Sequence, residues 1–187
     1  MKKLCKIIIL LATLTLISLS IAHADTKFEG MTHSLEEQDK MYKDRLAVLF
    51  IDASRLDDMI VGYRAILEFV MSDYELVENL SNFNSLPDWF YDASFSFANA
   101  DMDKYVCFAC HVTFDQVWNL DPLKIKVGDY QIQQDDILSP SASNPFGEFP
   151  SGTDGYFVFR VPSKVLKGKN TIDISYENNK VTWKVIK

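Results

Sequence analysis

From Trp89 to the C-terminus, apolar residues recur at every second position in short segments that are separated by turn-forming residues. Side chains of a β-strand point alternately to its two faces, so this period predicts strands that bury one face. The alternating segments are 89–97, 123–127, 130–132, 156–161, 172–176 and 181–185, and the segment 105–114 is apolar on both faces, as a central sandwich strand would be. Because no helical pattern separates these segments, the sequence predicts an antiparallel, jelly-roll-like β-sandwich.

The chain before Pro87 has a different period. Residues 34–83 repeat apolar side chains at helical spacing, and this pattern predicts one helix that begins at Ser34 and a second that begins near Ser54. The apolar face of the second helix would contain Leu56, Met59, Ile60, Tyr63, Ile66, Leu67, Val70, Met71 and Tyr74. We therefore expect an α+β protein, with an N-terminal helical arm or hairpin in 25–86 and a β-sandwich domain in 87–187.

The first 24 residues have the three parts of a signal peptide. Met1–Lys6 is basic, the segment 7–21 is a mostly apolar run of about 15 residues, and 22–24 is a small-x-small cleavage site. A membrane-spanning helix needs about 20 apolar residues, so an uncleaved anchor is the less favoured alternative. We predict export to the periplasm or beyond the cell, a mature chain that begins at Asp25, and no stable membrane insertion after cleavage.

The net charge argues against two classes of partner. The chain has a formal net charge of −7, and removal of three lysines with the signal peptide, which has no acidic residue, takes it to −10. Neither nucleic acids nor anionic membrane surfaces attract a chain of this charge that lacks a run of Lys or Arg. We therefore expect no nucleic-acid partner.

The segment Cys107-Phe108-Ala109-Cys110-His111 has the Cys-x-x-Cys-His form of a c-type haem attachment site. In that chemistry two thiols add to the haem vinyl groups and the histidine binds iron. The predicted export is consistent with this chemistry, because c-type haem is attached outside the cytoplasm. A monohaem electron-transfer protein that uses Cys107, Cys110 and His111 is therefore one interpretation.

The strand predicted for the same segment favours the other interpretation. On a strand, Cys107 and Cys110 point to opposite faces, which prevents both a two-thioether clamp and a disulfide between them. His111 would share a face with Cys107 and Tyr105. We therefore favour two reduced, buried thiols and no cofactor, with haem c as the alternative.

No other motif indicates catalysis. The sequence lacks a Gly-rich phosphate loop and a Ser-His-Asp order, and no zinc-ligand spacing is present. On a strand, the neighbours Cys110 and His111 point apart, so they do not form a nucleophile-base pair. We therefore favour a protein without a catalytic or metal site.

Two segments carry a resemblance to a known fold family. The first is Leu123-Lys-Ile-Lys-Val-Gly128, and the second runs from Tyr156 through Val161-Pro162 and Leu166-Lys-Gly168-Lys-Asn170 to Ile174. The sequence of these two segments resembles the galactose-binding-like jelly rolls, which occur as carbohydrate-binding modules and as sugar-binding domains of glycoside hydrolases. The Val-Asn-Gly turn of that family is Val127-Gly128 here, without the Asn. The resemblance implies a β-sandwich, and it implies sugar binding only by analogy of fold.

Four aromatic residues are candidates for a binding surface. Phe146 and Phe149 lie in the long Pro/Gly/Ser segment 139–155, where no strand register is expected to bury them. Trp118 and Tyr130 follow the neighbouring strands. If the loops at one end of the sandwich bring these rings together, they form a platform for sugar rings or for a protein partner. In the alternative, Phe146 and Phe149 fold back to cap the core.

The sequence therefore leaves three functions open. The favoured one is an exported, non-catalytic binding module with a carbohydrate or protein ligand. The second is the periplasmic c-type cytochrome-like protein. The third is a structural envelope subunit whose surfaces serve assembly.

Overall fold

Two four-stranded sheets form most of the structure, a computed structural model that describes residues 35–72, 76, 86–138 and 145–186. The strands of these two sheets are β1 (Leu46–Ile51), β4 (Ala65–Ser72), β5 (Tyr105–Phe114), β7 (Ile125–Val127), β8 (Tyr130–Gln131), β10 (Asp154–Pro162), β11 (Thr171–Tyr176) and β12 (Asn179–Lys184). Two further pairs are β2 (Ser54–Leu56) with β3 (Met59–Gly62), and β6 (Trp118–Leu120) with β9 (Gly147–Phe149). The helices are α1 (Leu35–Asp44) and α2 (Asp88–Ser94), with short 3-10 turns at Phe95–Asn99, Pro122–Lys124, Gln134–Asp136 and Ser163–Val165.

The two large sheets share one apolar core. The first sheet has the order β1-β4-β5-β10 and the second has the order β12-β11-β7-β8, with every neighbouring pair antiparallel. Alternate residues of both sheets enter the shared core, including Leu49, Leu67, Phe69, Phe108, Val112, Phe157 and Phe159 from the first sheet and Ile125, Val127, Ile172, Ile174 and Trp183 from the second. Burial of each such side chain contributes about 1.5–3 kcal/mol. The predicted β-sandwich architecture is therefore present.

A helical layer covers the other face of the first sheet. Phe90 and Ala93 of α2 are buried against Val70, Cys107 and Val158, which belong to three adjacent strands. The central strands β4 and β5 are therefore apolar on both faces, because one face meets the second sheet and the other meets helix α2.

The prediction of two helices over 34–83 is wrong for most of its length. Helix α1 is present, but the chain from Leu46 to Ser72 forms strands β1 to β4; Ser34 and most of 73–85 lie outside the described residues. Residues of β4 such as Ile66 and Val70 point to the outer face, so both faces carry apolar side chains. Apolar residues on both faces hide the period of two, and the remaining pattern also fits helical spacing. The sheet therefore begins at Leu46, well before Pro87.

The strand predicted at 89–97 is also wrong. Asp88 opens helix α2 directly after Pro87, and a 3-10 turn follows it to Asn99. The buried residues Phe90, Ala93 and Phe97 lie three and four positions apart, which is the spacing of one helical face. The aromatic residues of this segment also alternate, so the sequence fits both a strand and a helix. The helix forms because it buries Phe90, Ala93 and Phe97 against the first sheet.

The strands from β5 onward lie where the sequence predicted strands, except that β6 and β9 were not predicted and β9 gives Phe149 a strand register. Strand β5 has the predicted limits, and the hairpin between β11 and β12 turns at Glu177-Asn178. Gly168 has a φ of +75°, a left-handed conformation that glycine adopts without steric cost. No helix in the described ranges is long and apolar enough to cross a membrane.

A two-stranded arm extends from the first sheet between β1 and β4. Its strands β2 and β3 pair with each other, and the chain reverses at Asp57-Asp58, where Asp57 has a φ of +52°. Asp adopts this left-handed conformation more readily than most residues. We call residues 54–62 the β2–β3 arm.

Candidate functional site

The two cysteines of the Cys-x-x-Cys-His segment lie on opposite faces of β5. Cys110 belongs to the core between the sheets, whereas Cys107 belongs to the cluster beneath α2. Both side chains are buried and both thiols are free. Burial raises the pKa of Cys107 to about 12 and raises the pKa of Cys110 well above its ordinary value. Neither thiol is therefore a thiolate nucleophile near neutral pH.

This arrangement does not fit a c-type haem. A two-thioether clamp needs both sulfur atoms on one side, and the sheet itself separates Cys107 from Cys110. The strand position that the sequence predicted for these residues is confirmed, so no haem chemistry is derived from them.

His111 occupies the most elaborate polar site on the outer face of the first sheet. Its Nδ1–H donates to Glu68 Oε2 at 2.9 Å and its Nε2–H donates to Asp154 Oδ2 at 3.1 Å. Glu68 is its direct neighbour on β4, and Asp154 comes from β10 on the other side. The indole of Trp89, from α2, stacks on the imidazole with ring centroids 4.9 Å apart and planes at 13°.

The surroundings of His111 favour its charged form. Burial of the ring opposes charging, but the hydrogen bonds to Glu68 and Asp154 outweigh it, so the pKa of His111 is raised above its ordinary value. Both ring nitrogens are engaged, which leaves none to accept a proton from a substrate. The site therefore joins structural elements and does not have the form of a general base.

Two of the four predicted aromatic residues meet. Trp118 and Phe149 are cross-strand partners in the β6–β9 pair. Phe149 stacks on Phe114 with centroids 4.6 Å apart and planes at 9°, while Trp118, only 9% exposed, contacts Phe114 and Tyr176. Trp118 is therefore part of the core, and the ring of Phe149 packs against it.

The other two aromatic residues have separate surroundings. Tyr130 lies on β8, half-buried, and its hydroxyl donates to Asp136 at 2.7 Å. Phe146 is half-buried just before β9. Trp118 and Phe149 form no exposed platform, and the partner of the Tyr130 hydroxyl lies in the 3-10 turn Gln134–Asp136.

A groove that the sequence analysis missed lies at the end of the sandwich where β1 begins and β4 ends. It consists of three adjoining cavities of about 560, 470 and 570 Å³. The first two share Val185 and Ile186, and the last two share Ser163 and Lys167. The floor contains Met71, Val106, Leu166, Val185 and Ile186, and the rim contains Lys164, Lys167, Lys169 and Lys184. We call this set of residues the lysine-rimmed groove.

The four rim lysines are exposed, and within the described part of the chain none has a carboxylate at ion-pair distance. By contrast, Lys43, Lys124 and Lys180 each pair with an acidic residue at 2.6–3.1 Å. Asp44 and Asp103 also line the groove, and the described lining residues together retain an excess of positive charge. The sequence has no run of Lys or Arg, but the fold brings these four lysines to one rim. In the sequence, only the close spacing of Lys164, Lys167 and Lys169 indicates this rim. Lys184 is distant in sequence, and the fold brings it to the same groove.

A metal site has no support in the described ranges, where no group of three His, Cys, Asp or Glu side chains is placed to hold an ion. Comparisons with protein-family models, with curated proteins and with solved structures found no match to this chain.

Proposed function

We propose that this chain is an exported, non-catalytic binding module that holds a protein or carbohydrate ligand in the lysine-rimmed groove. The observation that carries the proposal is an apolar floor beneath four lysines, none of which has an acidic partner among the residues that the structure describes. Ligand sites typically combine an apolar lining with a few polar groups, in volumes of about 300–1,000 Å³. Loops at the end of a rigid sandwich are a common position for recognition.

The chemistry of the described residues favours binding over catalysis. The thiols of Cys107 and Cys110 are buried with raised pKa values, and both nitrogens of His111 are engaged by carboxylates. These were the strongest nucleophile and base candidates in the sequence. None of the three residues lines the groove.

The resemblance to galactose-binding-like jelly rolls bears on the same end of the molecule. Three residues of the segment Leu166-Lys-Gly168-Lys-Asn170, namely Leu166, Gly168 and Asn170, line the groove. This supports a ligand at the groove, while the class of ligand follows from the chemistry of the lining. The export part of the proposal rests on the signal-peptide pattern of residues 1–24.

A binding screen tests this function. The mature chain, 25–187, is screened against a glycan panel and a displayed peptide library, and each hit is measured again with a Lys167→Glu, Lys169→Glu variant. We expect affinity to fall by about tenfold or more in that variant, because charge reversal at a rim opposes an anionic ligand. The matched control is Lys126→Glu, Lys180→Glu, which changes the net charge equally on the second sheet.

Two results would contradict the proposal. Equal affinity of the groove variant and the control variant would place the ligand elsewhere. If mass spectrometry shows that the protein chemically converts a bound ligand, the protein is an enzyme.

A further inference from the structure

The β2–β3 arm presents an apolar and acidic surface. Leu56, Met59 and Val61 share one face of the arm and are 60%, 64% and 59% exposed. The tip is Asp57-Asp58, and both residues are exposed. Large apolar side chains that cluster on an exposed face indicate an interaction surface.

The base of the arm is held firmly to the sandwich. The amide of Arg64 donates to the carbonyl of Ile51 at 2.8 Å, and the amide of Asp115 donates to the carbonyl of Arg64 at 3.0 Å. Arg64 also forms an ion pair with Asp52 at 3.1 Å. Beyond this base, β2 and β3 pair with each other and with no other strand in the described ranges. The arm is therefore anchored at its base and uncovered at its tip.

We propose that the lysine-rimmed groove of one copy of this chain receives the β2–β3 arm of a second copy. The inference rests on the proposed function, because it names the partner of the same groove. The apolar face of the arm matches the apolar floor, and the tip carboxylates of Asp57 and Asp58 match the ammonium groups of the rim, which have no carboxylate partner in the described part of the chain. Complementary charge of this kind fixes the orientation of two partners and suppresses incorrect ones.

The positions of the arm and the groove require two copies. The arm follows Ile51, at one end of the β1–β4 pair, whereas Arg45 and Met71 line the groove at the other end. Six residues of strand separate these ends by about 20 Å. The arm extends away from the groove of its own chain, so the contact is head-to-tail. Such a contact joins different surfaces of successive copies, and it produces rings or open filaments.

The lining of the groove favours this occupant over a sugar. Its floor is aliphatic, and among the described residues Tyr105 is the one aromatic residue that lines the three cavities. The guanidinium of Arg160 lies over the Tyr105 ring at 4.4 Å, so one face of that ring is already covered. Sugar recognition relies on open aromatic faces, whereas Leu56 and Met59 of the arm need only an apolar floor.

Sedimentation velocity on the mature chain tests the inference. Between about 1 µM and about 500 µM, we expect the average mass to rise with concentration and to fall when salt is added. The arm variant is Asp57→Asn, Asp58→Lys, in which Asn suits the left-handed turn position. The groove variant is Lys167→Glu, Lys169→Glu. We expect each variant alone to associate at least about tenfold more weakly than the natural chain.

Mixing the two variants gives the sharpest result. The lysine-bearing arm of the first variant fits the acidic groove of the second, and the natural arm of the second fits the natural groove of the first. We therefore expect assembly to return only in the mixture. Two controls, Asp88→Lys, Asp92→Lys on α2 and Lys126→Glu, Lys180→Glu on the second sheet, should associate like the natural chain. Circular dichroism verifies that every variant is folded.

The outcomes separate this inference from the proposed function. A natural chain that stays monomeric throughout the range, or a mixture that fails to assemble, would show that the arm is not the ligand. If a glycan or peptide then binds and the groove variant weakens it, the binding module stands with a different partner. If neither class of ligand depends on the groove, the proposed function fails as well.

Discussion

The imidazole of His111 lies almost parallel to the indole of Trp89, with the ring centroids 4.9 Å apart. Trp89 belongs to the helical layer and His111 to a central strand of the first sheet, so the contact joins two layers. Carboxylates on both neighbouring strands, Glu68 and Asp154, accept hydrogen bonds from the same ring. The strength of this junction therefore depends on the protonation of one side chain.

The His111 junction should stabilise the fold at low pH and lose that effect at high pH. Because the pKa of His111 is raised in the folded state, its contribution is complete below the pKa of the unfolded chain and disappears as pH rises through the folded pKa. We expect His111→Gln to lower the free energy of unfolding by about 1–2 kcal/mol at the acidic end of the range, where the imidazole is charged. Urea unfolding of both proteins from about pH 5.5 to about pH 9 measures the difference. A difference that is constant with pH would contradict a charged junction.

The two cysteines should be unreactive in the folded protein and should bind no cofactor. We expect Cys107 and Cys110 to react with a thiol reagent only after unfolding, since both are buried with raised pKa values. The double variant Cys107→Ala, Cys110→Ala should fold with a loss of about 1–2 kcal/mol for each small cavity. An intact mass that includes a covalent haem, or a Soret band that the double variant loses, would show that the haem interpretation is correct.

Phe149 should stabilise the core rather than bind a ligand. Its ring stacks on Phe114, so Phe149→Ala is expected to cost about 2–3 kcal/mol and to lower the melting temperature by several degrees. The matched control is Val117→Ala, because Val117 is 58% exposed and its truncation should change the stability by about 0.5 kcal/mol or less. An unchanged melting temperature together with lost ligand binding would instead support the aromatic platform.

Export predicts a new N-terminus at Asp25. N-terminal sequencing of the protein from the cell envelope or medium of its host should begin Asp25-Thr26-Lys27. A bulky residue at the cleavage site, as in Ala24→Tyr, should block processing and cause the precursor to accumulate. Recovery of the chain on the membrane with Met1 intact would show an uncleaved anchor.

The sequence by itself determined the strands whose two faces meet different environments. In β11 the inward residues Ile172 and Ile174 alternate with Asp173 and Ser175, and this contrast is visible without a structure. Strand β5 is apolar on both faces and was predicted as a buried central strand, and strand alternation then placed Cys107 and Cys110 on opposite faces. The contrast between faces is also absent in β4, since helix α2 covers the outer face of that strand, and there the apolar pattern was assigned to a helix.

Only the tertiary structure decided which residues became neighbours. Glu68 and Asp154 are each 43 positions from His111, and the register of three strands brings them together. Lys184 joins Lys167 at the groove in the same way, because β12 and the segment after β10 end at one edge of the sandwich. Local periodicity fixes the direction of a side chain within its own strand. Contacts between distant strands depend on the register of their hydrogen bonds and on packing between layers, which no single segment encodes.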